Sequence, residues 1–230
     1  AGFAQLMAAN PAPFAAFYRV DDLFALSASP ERYLLVEDGH VLAQPMKGTR
    51  RRHADPVEDA RLASELASDP KERSENIMAV DVMRNDLSRV AASRSVVVEE
   101  LCGVHPYPHV HQMTSTIRAR LREGVSAWDA VLASFPMASM TGAPKLRSMQ
   151  LIDEVEDMRR GLFSGTLGFF TPEGNADLNV VIRTLTYDAR TGRAALLTGS
   201  AITASSVPDQ EWEECELKAR SVLNALGDVG

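Results

Sequence analysis

The sequence predicts an α+β protein in which layered antiparallel sheets are flanked by helices. Two apolar runs around Asp38-Gly39 are typical of a β-hairpin. Segments with apolar residues at helical spacing follow this hairpin, and apolar runs separated by turn residues lie near the end of the chain. Because strands and helices do not alternate regularly, this pattern favours layered antiparallel sheets over a Rossmann-like parallel sheet.

The composition is that of a globular protein and disfavours binding to nucleic acid. The chain has 230 residues, 45% of them hydrophobic, and a formal net charge of −7, whereas a nucleic-acid binder usually carries a basic face. No apolar run approaches the length of a membrane span, and the N-terminal stretch lacks the basic region of a signal peptide. Cys102 and Cys215 form neither a CxxC motif nor a disulfide framework, so we expect a location in the reducing cytoplasm.

The first predicted elements are a hairpin, a long helix and a strand. The hairpin covers residues 33–45, and its second strand is expected to end at Lys47. Asp69 in a capping position, followed by a proline, predicts a helix over about 70–87. The apolar run at 95–101 predicts a strand.

The second half of the chain is predicted to hold three helices and a β meander. A short helix is expected over 125–135, the meander over 164–203 and a last helix over 207–226. Pro144 begins the remaining helix, which carries the apolar residues Leu146, Met149, Ile152 and Val155.

Two pairs of glutamates stand three residues apart on predicted helices. Glu72 and Glu75 lie on the long helix, and Glu211 and Glu214 lie on the last, where Lys218 follows one turn later. Residues at this spacing share a helix face, so two such faces brought together would converge four carboxylates. A hard divalent cation such as Mg²⁺ would stabilise that cluster. On spacing alone, solvated helix faces are the commoner interpretation.

Three further positions suit an anion. One is the stretch MTGAPK at residues 140–145, where small residues precede a helix start whose N–H groups can bind a carboxylate. Another is the stretch LTGSAI at residues 197–202, where small residues after a strand leave the backbone accessible to an anion. Both are also compatible with ordinary turns. Arg183 interrupts an apolar strand, where a buried cation needs either an internal partner or a bound anion.

The remaining titratable motifs are weaker. His109 and His111 share one face of an extended segment, but no further ligand stands at zinc-binding spacing. We therefore expect a structural or general-acid histidine. Cys102 lacks the glycine frame of a nucleophile elbow and is predicted to be a buried strand residue.

Eight stretches, in the same order along nearly the whole chain, carry a family resemblance. They are SASPERYL, PMKGTR, SENIMAVDVMRNDLSRV, HVHQMTST, FPMASMTGAPKLRSMQLIDEVE, RRGLFSGTLGFF, DLNVVIRT and EWEECELKA. Together they resemble the chorismate-utilising enzymes, a family that includes anthranilate, aminodeoxychorismate, isochorismate and salicylate synthases. The resemblance implies a chorismate-binding catalytic domain over residues 1–230, lacking the N-terminal part that members usually carry.

The same resemblance implies roles for individual residues. Glu75 and Glu214 would bind Mg²⁺ directly, and Glu72 and Glu211 would complete its shell through water. The implied catalytic residues are Lys47, Thr49 and His111. The implied substrate-binding residues are Gly48, Thr141, Gly142, Ala143, Phe163, Arg183, Gly199, Ser200, Ala201 and Lys218.

Lys47 indicates a branch of the family, because PMKGT resembles the aminodeoxychorismate synthases, whereas anthranilate synthases have alanine at this position. The resemblance implies that the lysine amine attacks C2 of chorismate and expels the C4 hydroxyl, after which ammonia adds at C4 and displaces the lysine. The product would be 4-amino-4-deoxychorismate, a precursor of p-aminobenzoate and folate. A separate glutamine amidotransferase subunit would supply the ammonia. Anthranilate synthase, another chorismate-converting synthase, and an inactive partner subunit stay open as alternatives.

Two positions depart from the family pattern. Phe163 stands where a tyrosine is frequent, which removes one possible hydrogen bond to the substrate. The stretch Gly199–Ala201 reads GSA in place of a glycine-richer sequence, and the methyl group of Ala201 would narrow the implied carboxylate site.

Overall fold

A computed structural model describes residues 2–107, 110–204 and 206–227. Its helices are α1 (Gly2–Ala9), α2 (Pro56–Ser68), α3 (Pro70–Ser88), α4 (Ala127–Ser134), α5 (Lys145–Val155) and α6 (Pro208–Leu226). Its strands are β1 (Phe14–Val20), β2 (Leu23–Ser29), β3 (Arg32–Glu37), β4 (His40–Ala43), β5 (Met46–Arg51), β6 (Val97–Pro106), β7 (Val110–Arg120), β8 (Gly168–Phe170), β9 (Ala176–Asn179), β10 (Thr184–Asp188) and β11 (Arg193–Leu196). These elements form two compact units.

The first unit comprises Ala1–Glu31, Arg160–Gly168 and Asn179–Gly230. Its sheet has the order β1-β2-β10-β11, and the neighbouring strands pair antiparallel. Helices α1 and α6 contact each other, and α1 also contacts β2. The buried core of this unit joins one residue from each of these three elements, namely Leu6, Ala28 and Val222.

The second unit comprises Arg32–Arg159 and Phe169–Leu178 and is built around β7. One edge of β7 pairs with β5 and then β4, while its other edge pairs with β6, all antiparallel. The seven-stranded sheet continues from β4 through β3 and β9 to β8. Helices α2 and α3 contact β5, β6 and β7, and the core between them holds Leu66, Cys102 and Met113.

The predicted antiparallel α+β architecture is therefore confirmed. The hairpin is confirmed as well, since β3 and β4 pair around Asp38 and Gly39, whose positive φ angles of 49° and 73° form the tight turn. Lys47, however, does not end the second hairpin strand. It lies inside β5, a separate strand, because Pro45 cannot donate to the sheet and interrupts the run after β4.

The predicted helices are confirmed, including the capping of α3 by Asp69, whose carboxylate accepts from the N–H groups of Lys71 and Glu72 at 3.0 and 3.1 Å. Cys102 is buried in β6, as expected. Helix α5 differs from an ordinary core helix, because every one of its residues is described and none is buried. Its apolar residues Leu146 and Val155 are 71% and 77% exposed.

The prediction of one meander over 164–203 is wrong. Strands β8 and β9 join the seven-stranded sheet, whereas β10 and β11 join the four-stranded sheet. The change occurs before β10, where Arg183 has a φ of 51°. A residue in this left-handed region cannot continue a pleated strand, so Arg183 lies in a bend and not in a strand interior. Among the described residues, no helix is both long and apolar enough to cross a membrane.

Candidate active site

The sequence-predicted site residues divide between the two units. The second unit holds Lys47, Gly48, Thr49, Glu72, Glu75, His111, Thr141, Gly142 and Ala143. The first unit holds Phe163, Arg183, Gly199, Ser200, Ala201, Glu211, Glu214 and Lys218. Each group is built by its own local contacts.

In the second unit, Gly48 lets β5 approach the acidic face of α3. Its φ is +81°, and a Cβ atom added there would lie 3.0 Å from Glu72 Oε2 and 3.1 Å from Leu66 Cδ1. A larger residue would meet both a strained backbone and two close neighbours. Lys47, the residue before it, is half-buried. The predicted nucleophile is therefore one residue away from the position at which an added side chain would meet Glu72.

Two side chains fix this segment of β5. Gln112 on β7 donates through Nε2 to the Gly48 carbonyl at 2.8 Å and accepts at Oε1 from the Thr49 hydroxyl at 3.0 Å. Arg50 bonds through its guanidinium to Asp69 Oδ2 at 2.8 Å. Since Asp69 caps α3, this ion pair ties β5 to the start of the helix that carries Glu72 and Glu75.

Glu75 is the more deeply placed member of its acidic pair, with only 6% of the residue exposed. The ammonium of Lys71 lies 4.0 Å from its Oε1. A carboxylate this buried requires compensating positive charge. Oxygen ligands of this kind suit a hard cation such as Mg²⁺.

His111, predicted as a ring-site residue, is held by an acid that the sequence reading missed. Its Nε2 lies 2.9 Å from Asp59 Oδ1 on α2, and Asp59 also pairs with Arg52 of β5 at 2.8 Å. The signal that would have found α2 is Asp55-Pro56, because Asp55 caps this helix and Pro56 takes its first position. His109 lies outside the described residues.

The loop before α5 is anchored by Lys145. Its ammonium donates to Asp86 Oδ2 at 2.5 Å and to the carbonyls of Ser134 and Pro136 at 2.8 and 2.7 Å. Asp86 is 2% exposed. Burial raises the pKa of Asp86 above its ordinary value, and Lys145 acts in the opposite direction. Sequence reasoning missed both residues of this pair.

Gly142 and Thr141 lie in that anchored loop. Gly142 has a φ of +156°, and a Cβ atom there would lie 2.8 Å from Ser148 Oγ. The hydroxyl of Thr141 donates to the Met137 carbonyl at 3.1 Å. Ala143 and Pro144 then lead into α5, so the loop meets a helix start as predicted.

In the first unit, hydrogen bonds from side chains hold the loop at Gly199 and Ser200 against α6. The Ser200 hydroxyl hydrogen-bonds to Glu211 Oε2 and lies 3.1 Å from Glu214 Oε2. Lys218 donates to the Gly199 carbonyl at 2.7 Å and pairs with Glu214 Oε1 at 2.6 Å. One face of α6 therefore gathers two carboxylates, one ammonium and the loop backbone.

The loop also meets an aromatic ring. A Cβ atom on Gly199 would lie 3.7 Å from Cζ of Phe163, which is an ordinary contact distance. The carbonyl of Ala201 accepts from the Ser206 hydroxyl at 3.2 Å. The implied substrate-binding residue Phe163 therefore lies beside the loop that contains two others, Gly199 and Ala201.

Arg183 combines burial with an unusual backbone. Burial lowers the pKa of Arg183 below its ordinary value, and the Glu214 carboxylate acts in the opposite direction. Its carbonyl accepts from Ala28 N–H at 3.1 Å, which fixes the bend to β2. A non-glycine residue at a φ of 51° is uncommon, and the conformation persists only where the surrounding structure holds it.

The carboxylates suit a magnesium ion in their chemistry, and two of the four lie in each unit. Glu75 and Glu211 are 6% and 5% exposed, and each has its partner glutamate three residues away on the same helix. Among the described residues, no group of three or more His, Cys, Asp and Glu side chains is gathered at metal-binding distance.

Comparisons with known proteins agree with the sequence resemblance. The family described as chorismate binding enzyme matches residues 1–224. Aminodeoxychorismate synthase component 1 of Escherichia coli (strain K12) is 45% identical over 224 residues, which cover 97% of this chain and 49% of the relative. Anthranilate synthase component 1 of Aquifex aeolicus (strain VF5) is 41% identical over 217 residues, which cover 94% of this chain and 44% of the relative.

Solved structures show the same fold. The crystal structure of anthranilate synthase component I from Streptococcus pneumoniae TIGR4 matches with a TM-score of 0.85 at 33% identity. The match covers 96% of this chain and 48% of that chain. The chain thus spans about half the length of these relatives.

Proposed function

The chain belongs to the chorismate-binding enzyme family, and from this premise we propose that residues 1–230 form the catalytic domain of an aminodeoxychorismate synthase component 1. Its substrates would be chorismate and ammonia, and its product would be 4-amino-4-deoxychorismate. The single observation that carries the proposal is Lys47 in β5, next to the glycine at which any added Cβ atom would lie 3.0 Å from Glu72 Oε2. The 45% identity to a relative of that name supports it.

The chemistry requires a nucleophilic amine. In the proposed reaction the neutral amine of Lys47 forms a bond to C2 of chorismate and loses a proton. The two conjugated ring double bonds each shift by one position, and the bond from C4 to its hydroxyl breaks. The departing hydroxyl leaves as water if it receives a proton, and His111 is the candidate donor. Ammonia then adds at C4 and gives up a proton, both double bonds shift back, and the lysine nitrogen leaves C2 as the protonated amine.

The chain's own residues would orient the dianionic substrate during these steps. Arg183, the backbone at Gly199 and the loop at Gly142–Ala143 are the proposed carboxylate partners, and Thr49 lines the ring site. The contacts of Gln112 with Gly48 and Thr49 support a fixed position for the Lys47 segment. Fixed positions matter because small displacements of reacting groups reduce the rate steeply.

Magnesium is the proposed cofactor, and Glu75 and Glu214, with Glu72 and Glu211 behind them, are its proposed ligands. When bound, the ion would supply positive charge to the substrate carboxylate. The buried positions of Glu75 and Glu211 support this assignment, since a cation would compensate both charges.

The proposed nitrogen donor is ammonia from a separate glutamine amidotransferase subunit, and the proposed pathway leads to p-aminobenzoate and folate. The word component in the name of the relative supports a second subunit. Both cysteines are free thiols, which supports the cytoplasm as the proposed location.

Product analysis tests this proposal directly. The protein is incubated with chorismate, Mg²⁺ and an ammonium salt as the only nitrogen donor, and the products are separated and identified by mass spectrometry. We expect 4-amino-4-deoxychorismate, and in a quenched reaction an intact-protein mass raised by chorismate less one water. Lys47→Ala is expected to lose both signals. The matched control is Arg51→Ala, an exposed residue of the same strand that the mechanism does not use.

The second candidate is anthranilate synthase component 1, because the 41% identical relative and the superposable crystal structure carry that name. The same assay distinguishes the two, since an anthranilate product would replace aminodeoxychorismate. A Lys47→Ala variant with full activity would remove the proposed role of Lys47.

A further inference from the structure

The hydrogen bond between His111 and Asp59 joins two elements and also constrains which nitrogen of the imidazole carries the proton. His111 Nε2 lies 2.9 Å from Asp59 Oδ1, and the side chains are 6% and 14% exposed. The imidazole comes from β7 and the carboxylate from α2, 52 residues earlier in the chain. Both groups are thus largely removed from water, where a hydrogen bond has the most influence on proton position.

Asp59 is held as an ionised carboxylate. Arg52 donates to it through Nε at 2.9 and 3.0 Å and through a terminal nitrogen at 2.8 Å, and the backbone N–H of His53 donates at 2.9 Å. Arg52 first, then the His53 N–H, and His111 in addition, hold the pKa of Asp59 well below its usual range. An ionised carboxylate can only accept hydrogen bonds.

We infer that Asp59 is a positioning residue for His111, which fixes the proton of the neutral imidazole on Nε2. This tautomer leaves the Nδ1 lone pair free to take up a proton, which His111 would then donate to the departing hydroxyl in the proposed reaction. In a neutral histidine, the hydrogen bond made by one ring nitrogen decides which nitrogen carries the proton, and here Asp59 makes that bond to Nε2. The catalytic meaning of the inference rests on the proposed function, whereas the tautomer itself does not.

Arg52 makes the arrangement rigid. Besides Asp59, its guanidinium donates to the Tyr107 carbonyl at 3.0 Å, close to the start of β7. The charged group on the neighbouring strand is Arg50, which stands opposite His111 in the register of β5 and β7 and is paired with Asp69. The Asp59 carboxylate is therefore fixed by β5 and α2 together, and the imidazole ring has one oriented acceptor.

Imidazole ¹⁵N resonances test the tautomer without any catalytic assay. The 230-residue chain is labelled at its five histidines, and the His111 signals are assigned by their loss in a His111→Gln variant. In the wild type at alkaline pH we expect the Nε2–H form. In Asp59→Asn, whose amide cannot accept from Arg52, the His53 N–H and His111 at once, we expect the tautomer ratio to fall by about 10-fold or more. A wild-type His111 with its proton on Nδ1 overturns the inference.

Steady-state kinetics with ammonium and chorismate distinguish a role of Asp59 in positioning His111 from a role in fold stability alone. For Asp59→Asn we expect kcat to fall by about 10–100-fold, as for loss of an outer-shell partner, while KM for chorismate changes by less than about 3-fold. The matched control is Glu58→Gln, because Glu58 neighbours Asp59 on α2 but pairs only with Arg61 among the described residues. It is expected to leave kcat unchanged.

The outcomes are distinguishable. If kcat of Asp59→Asn equals that of the control and only thermal stability falls, Asp59 is a structural residue and the inference is wrong. If the wild type gives no aminodeoxychorismate, the proposed function fails, and the ¹⁵N spectrum alone still decides whether Asp59 fixes the tautomer.

Discussion

Replacing Gly48 with alanine tests whether the strand that carries Lys47 is held against α3 as closely as the structure indicates. The new Cβ atom would lie 3.0 Å from Glu72 Oε2, 3.1 Å from Glu72 Cβ and 3.1 Å from Leu66 Cδ1. Leu66 is fully buried, so its methyl group cannot move out into solvent. The backbone φ of +81° adds strain, because L-residues with a side chain rarely adopt it.

The expected loss of folding free energy in Gly48→Ala has a backbone part and a packing part. A substitution at a second glycine, Gly39, measures the backbone part alone. Gly39 has a similar φ of +73°, but a Cβ atom there would meet nothing within 4 Å. Gly39→Ala should therefore show the backbone part alone, about 1–2 kcal/mol. Gly48→Ala should add an overpacking part of about 1–3 kcal/mol, for a total of about 2–5 kcal/mol.

Urea unfolding followed by far-UV circular dichroism measures both variants. The free energy of unfolding is taken from the linear dependence on urea, and an unchanged slope shows that the unfolded state is comparable. We also expect Gly48→Ala, and not Gly39→Ala, to reduce turnover of chorismate, since only the former displaces Lys47. Equal losses of stability in the two variants would refute the close approach of β5 to Glu72 and Leu66.

Two further predictions concern buried charges. Lys145→Met leaves the Asp86 carboxylate, 2% exposed, without the ammonium that contacts it, so we expect a loss of about 3 kcal/mol in urea. Adding Asp86→Leu should recover much of it, and a single variant within about 0.5 kcal/mol of wild type contradicts the role of this pair. The pKa of Asp59 is lowered in the folded state, mainly by Arg52, so its carboxylate stabilises the fold above its unfolded pKa of about 3.9, and that contribution is lost as the pH falls through the folded pKa. The stability difference between wild type and Asp59→Asn should thus be constant from neutral pH to about 5 and shrink below about 4, whereas a difference unchanged in acid contradicts the ionised carboxylate.

Local signals in the sequence were sufficient for several elements. The Asp38-Gly39 turn predicted the hairpin because few other residue pairs accept positive φ at both positions. Asp69 and the proline after it predicted the start of α3 within one residue, because capping depends only on neighbouring backbone groups. The glutamate spacing on α3 and α6 followed from helix geometry in the same way.

Other features escaped the sequence because a local pattern does not encode them. The apolar run through Arg183 predicted one continuous strand, yet the chain bends there and enters another sheet. The apolar residues of α5 gave no indication that none of the helix would be buried. Both outcomes depend on which surfaces other segments cover.

Residue types, turns, caps and the family resemblance were determined by the sequence itself, since each depends on residues a few positions apart or on whole motifs. Only the tertiary structure decided that Asp59 meets His111 across 52 residues and that Asp86 meets Lys145 across 59. The physical reason is that such pairs form when the packing of several elements brings distant parts of the backbone together. The free energy of that packing is shared among many side chains, so neither position of the pair indicates it by itself.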